Sequence, residues 1–155
     1  MMISLNVFVA VAAELRQVAV FCLAHGARCY PGCPPDRVFR YLAFQRLTGG
    51  LVVCRQGPDI EGVLIAWPTT TAETLRRAAA GEFHFNWRPP APGGDALMIA
   101  DVISLRRRDS VFRLLQMASA RWPDWKMRRL FTHRSGRLVE IAPRLAERFF
   151  AHVAT

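Results

Sequence analysis

The chain has 155 residues, 52% hydrophobic and 21% charged, a composition that excludes global disorder and predicts one domain, residues 1–155, with a sizeable core. The formal net charge of +9 is uneven: from Asp101 onward 12 Lys+Arg stand against 5 Asp+Glu, whereas the first hundred residues hold 9 against 7. That imbalance points to an anionic partner for the C-terminal part, although a basic set with a single lysine, Lys126, also fits a GC-rich coding sequence.

Ser4 to about Leu23 is apolar nearly all round and reads as a buried helix ending near Gly26. It lacks a basic leader and is interrupted by Glu14 and Arg16, so the reading is neither a signal peptide nor a membrane span, and a cytoplasmic protein is expected. A Gly- and Pro-punctuated loop, His25 to Pro35, precedes a second helix that starts at Pro34-Pro35-Asp36 and stops at Gly49-Gly50. Leu51–Gln56 and Ile60–Trp67 flank Gly57-Pro58-Asp59 as a hairpin. Thr71 caps a short helix ending at Gly81, and Glu82–Gly94 is an irregular connection rich in Pro and Gly. A strand from Asp95 to Ser104 follows, then a helix with Asp109 or Ser110 as N-cap and a stripe of Val111, Leu114, Leu115, Ala118 and Trp122. Lys126–His133 and Arg137–Ala142 flank Arg134-Ser135-Gly136 as a second hairpin, and Pro143 opens a last helix to about Val153. The predicted class is α+β: a mixed sheet of two hairpins and a central strand, with helices packed on both faces.

The central strand carries the sharpest anomaly. On a period of two, Leu97, Ile99, Asp101 and Ile103 share one face, which puts a carboxylate among apolar neighbours, a costly arrangement unless it is paired or kept for chemistry. Beyond it Arg106, Arg107 and Arg108 precede a helix start, where backbone N–H groups and the helix dipole favour a phosphate. Asp101 could equally form a buried salt bridge, and the arginines a solvated loop. Among the histidines, His25 stands at a helix end, His84 lies in the aromatic run Phe83-His-Phe85-Asn-Trp87 that can line a pocket, and His133 ends a strand at a solvated position. Cys22, Cys29, Cys33 and Cys54 follow no zinc or disulfide spacing, so free thiols and no metal are expected.

The order of elements, with Gly50-Leu-Val-Val-Cys-Arg55, Glu61-Gly-Val-Leu-Ile-Ala-Trp-Pro68, Met98-Ile-Ala-Asp-Val-Ile-Ser104, Met117 to Asp124 and Gly136-Arg-Leu-Val-Glu-Ile141, resembles the GNAT acyltransferase superfamily, and most closely the toxin-activating lysine acyltransferases of the hemolysin-activating type. The resemblance covers about Gly50 to Ile141. It implies an N-acyltransferase that moves an acyl group from an acyl-CoA, or from the phosphopantetheine thioester of an acidic acyl carrier protein, to an amine, with a protein lysine as acceptor. It further implies that Asp101 matches the family's essential Asp, that His25 stands for its N-terminal His, and that Ile103, Ser104, Arg106, Arg107, Arg108 and Ser110 surround the donor. Arg108-Asp-Ser-Val-Phe112 has no glycine where the superfamily has its phosphate loop. A second reading is therefore a catalytically inactive protein of the same fold, a phage-type accessory or inhibitor whose Arg-rich face grips nucleic acid or an acidic protein. A third is a homodimeric scaffold with the apolar N-terminal helix as its seam.

Overall fold

The computed structural model describes residues 5–26, 28–105 and 108–151. In chain order the elements are α1 (Leu5–His25), α2 (Pro35–Leu47), β1 (Leu51–Gln56), β2 (Asp59–Thr69), α3 (Thr71–Ala79), β3 (Ala96–Ser104), α4 (Asp109–Arg121), a 3-10 turn (Trp125–Met127), β4 (Arg129–Arg134), β5 (Arg137–Ile141) and α5 (Pro143–Ala151). The five strands make one open sheet in the order β1-β2-β3-β4-β5. All neighbours are antiparallel except β3 and β4, the pair joined through the α4 crossover. Ser135 and Gly136, at φ 49° and 73°, supply the two left-handed positions that close the β4–β5 hairpin tightly. No helix among the described residues is long and apolar enough to cross a membrane.

The class is α+β with a mixed sheet covered on both faces. On one face Val18 and Cys22 of α1 and Tyr41 and Leu42 of α2 pack on Val63, Ile65, Met98 and Ala100. On the other, Leu114, Leu115, Ala118 and Trp122 pack with Ala146 of α5 on Val52, Leu64, Leu97 and Ile99. Two local expectations change. The first helix is not buried all round: Val7, Val9 and Val20 are more than half exposed, because a helix forming the outer layer covers only one stripe. The cap of α3 is Thr70, whose hydroxyl accepts from the Glu73 N–H at 3.1 Å. Thr71 instead donates its N–H and its hydroxyl to the Asp95 carboxylate, each at 2.7 Å, tying α3 to the start of β3.

Two features of β3 place the site. Its pairing with β2 shifts between Ile65↔Asp101 and Ala66↔Ile99, which leaves Ala100 as the extra residue of a β-bulge. One extra residue inverts every later side chain. Asp101 and Ile103 therefore lie on the α1/α2 face with Met98 and Ala100, opposite to Leu97 and Ile99, with which an unbroken alternation grouped them. Secondly, β3 and β4 pair only over Ala96–Met98 and Arg129–Phe131. Beyond those residues β3 continues along β2 and β4 along β5, so the sheet opens at the C-terminal ends of its one parallel pair.

Candidate functional site

At that opening Asp101 is 1% exposed, and its two oxygens have separate partners. The Tyr30 hydroxyl donates to Oδ2 at 3.0 Å, and Nδ1 of His84 lies 3.1 Å from Oδ1. A carboxylate only accepts, so His84 donates its Nδ1–H and keeps Nε2 as the nitrogen with a lone pair. Among the described residues no lysine or arginine bonds to Asp101, whose side-chain partners are Tyr30 and His84. The salt-bridge explanation of this buried acid therefore gives way to a Tyr–Asp–His network.

Each partner is delivered by a different local device. Gly26 ends α1 directly over Ile103, where a Cβ would come within 2.5 Å of the Ile103 Cδ1, and the following turn, Cys29 N–H and Tyr30 N–H to Gly26 C=O, aims Tyr30 inward. Tyr30 is 3% exposed, and burial, then the Asp101 charge, pushes its phenol well above the ordinary range, so it stays a donor. His84 comes from the irregular loop after α3. The next residue, Phe85, takes φ 56°, a left-handed position that a non-glycine residue adopts only under constraint. That reversal sends Phe85 onto Tyr30 and Tyr41, with the Arg37 guanidinium 4.5 Å above its ring, while His84 turns to the sheet. The His84 side chain keeps 26% of its surface exposed, so it is the member of the network that meets solvent.

His133 of β4 closes the cluster from the far side of the opening. It is half-buried, stacked on Phe83 at 5.2 Å and edge-to-face with His84 at 4.6 Å, rather than solvated. Burial, followed by repulsion from His84, lowers its basicity below the ordinary histidine range, and its Nε2 is buried without a hydrogen-bond partner. The Cys29 thiol beside Asp101 is pushed up strongly by burial and by that charge, and Cys22 to about 12 for the same two reasons, so both are protonated thiols and poor nucleophiles.

His25 is not the histidine on Asp101. It packs on Phe21 at 4.9 Å and lines an open, mostly apolar cleft of about 690 Å³ between α1, the β1–β2 turn and Leu105. Of the residues expected around a donor, Ile103 is a core side chain at 3% exposure. The Ser104 hydroxyl donates to Ser110 at 2.7 Å, which fastens the end of β3 to the first turn of α4. Arg108 is exposed and precedes α4 without a side-chain cap there, and Asp109 and Ser110 lie inside the helix, not at its N-cap. Arg106 and Arg107 lie outside the described residues. Several other basic residues of this half serve the fold: Arg113 pairs with Glu61, Arg129 with Glu140, Arg121 donates to the Gly49 and Leu51 carbonyls, and Arg128 donates to Asp124 and to the Gly94 carbonyl.

Tyr30 and His133 are the members that sequence reasoning missed. The bulge hides both, because an unbroken alternation points Asp101 at the α4 face, away from each of them. Compared with protein-family profiles, with curated proteins and with solved structures, the chain matches none.

Proposed function

We propose that the chain is a GNAT-like N-acyltransferase, moving an acyl group from a thioester donor, acyl-CoA or acyl carrier protein, to an amine, with a protein lysine as the favoured acceptor. The observation that carries the reading is the buried Asp101 carboxylate holding the Nδ1–H of the partly exposed His84 at the opening between β3 and β4. In this assignment His84, not His25, is the general base, and Asp101 is a positioning residue that fixes the ring's tautomer, with Tyr30 fixing the carboxylate in turn. The amine nitrogen attacks the thioester carbonyl and loses its proton to His84 Nε2. The tetrahedral intermediate collapses with cleavage of the C–S bond, and the leaving thiolate takes up a proton. A bulge frees backbone N–H groups from the ladder, and one beside the opening can hold the developing oxyanion.

The rival reading, a basic protein that grips nucleic acid or an acidic partner, draws less support, since Arg113, Arg121, Arg128 and Arg129 are engaged within the fold. Incubation with acyl-CoAs of several chain lengths and with acyl-loaded carrier protein, followed by intact-mass spectrometry of lysine peptides and small amines, tests the proposal. An acyl adduct made by the wild type and lost in His84→Gln is the expected outcome. Absence of transfer from every donor, together with no thermal shift from CoA, refutes it. Nucleic-acid binding that weakens steeply with salt would then favour the rival.

A further inference from the structure

Asp101, His84 and His133 come from β3, from the loop after α3 and from β4, so no sequence spacing announces them as a set. In the fold, one donor atom from each lies within 4.8 Å of the other two. Two imidazoles and one carboxylate are a common donor set for divalent transition metals. We propose that these three residues form a binding site for a divalent transition metal of the zinc class, reached from the exposed edge of His84.

Four observations support the site. His84 Nδ1 and Asp101 Oδ1 are 3.1 Å apart, close to the ~3.3 Å between donors around a tetrahedral zinc with bonds of about 2.0–2.1 Å. Drawing His133 in from the present limit of 4.8 Å takes about 1.5 Å of side-chain movement toward that same spacing. His133 carries a buried Nε2 with no hydrogen-bond partner, a cost that a ligand would relieve. The carboxylate is buried without a guanidinium or ammonium among the described residues, and Tyr30 already orients it from outside the ligand set, as outer partners of metal sites do.

A bound ion takes the place of the proton between His84 and Asp101. Metal binding therefore competes with proton abstraction by His84, a consequence that rests on the acyl-transfer reading, whereas binding itself does not. Metal-stripped full-length protein is titrated with Co²⁺, followed by its visible d–d absorption, and with Zn²⁺ by calorimetry. The expected result is one ion per chain, unchanged in His25→Asn and at least ~100-fold weaker in His133→Asn and Asp101→Asn, given that losing even an outer-shell partner costs about 10–100-fold. Because a half-buried substitution can disturb folding, the wild type is also modified with diethyl pyrocarbonate, and Zn²⁺ is expected to protect His84 and His133 but not His25. No ion bound by the wild type, equal binding by a folded His133→Asn, unprotected His84, or a sulfur-to-cobalt charge-transfer band abolished by Cys29→Ser would each overturn the site. Transfer without metal binding rejects this site alone, and metal binding without transfer rejects only the acyltransferase reading.

Discussion

Replacing Asp101 by Asn keeps the shape of the side chain and removes its charge, which separates a structural acid from one retained for chemistry. The carboxylate accepts two hydrogen bonds, from Tyr30 at 3.0 Å and from His84 at 3.1 Å. Bonds to a charged acceptor contribute about 1.5–3 kcal/mol against 0.5–1.5 for neutral ones, so the amide forfeits roughly 2–3 kcal/mol over the pair. In the other direction, a carboxylate 1% exposed and, among the described residues, without an arginine or lysine bonded to it carries a desolvation cost of several kcal/mol that an amide largely sheds. The two effects nearly cancel, and urea denaturation of Asp101→Asn is expected to give a stability within about 1 kcal/mol of the wild type. Function responds differently. An Asn can present its NH₂ group to His84 Nδ1, which moves the ring proton to Nε2 and removes the base, so acyl transfer falls by about 10²–10⁴-fold. A loss of more than about 3 kcal/mol with an unchanged transfer rate would instead make Asp101 a structural residue.

Three further substitutions or treatments probe the frame around the site. Gly94→Ala drives a Cβ into the Thr69 carbonyl oxygen, a backbone atom that cannot swing aside, and is expected to destabilise by about 1–3 kcal/mol or more in chemical denaturation. The Thr71 N–H and hydroxyl hold Asp95 below the usual carboxylate range. A depressed acid stabilises the fold above its unfolded value and loses that effect as pH falls through the folded one. Asp95→Ala is thus expected to melt earlier than the wild type at neutral pH, followed by circular dichroism, with the gap closing as the pH drops below the ordinary carboxylate range. Cys22, fully buried and pushed up to about 12, is expected to escape iodoacetamide in the native protein at mildly alkaline pH while the partly exposed Cys33 is labelled first, which peptide mapping resolves.

The elements were legible because each was signalled locally: apolar runs on either side of Gly57-Pro58-Asp59 for β1 and β2, Thr and Gly at the ends of α3, a Ser-Gly turn between β4 and β5. The buried carboxylate was legible too, as one charge in an apolar run. The histidine that meets it was not, because that pairing is decided by which face of β3 Asp101 occupies, and a single bulged residue, Ala100, reverses the face without a mark in composition or periodicity. His25 lies nearer the matched N-terminal position in sequence, yet α1 carries it to the cleft beside Leu105. His84 sits in a loop whose path depends on the left-handed Phe85, a conformation that its residue type argues against. The exposed stripe of α1 is hidden in the sequence for a related reason, since a run that is apolar all round does not say how many layers cover it.

In the proposed acyl transfer, Asp101 and His84 act as one unit. Initial rates of acyl transfer for His84→Gln, Asp101→Asn and the double variant test this directly. Each single substitution is predicted to lose at least ~100-fold, and the double variant to be no slower than the worse single one, because a base without its partner and a partner without its base fail at the same step. Losses that add on a logarithmic scale, or a His84→Gln variant that transfers at the wild-type rate, would contradict it.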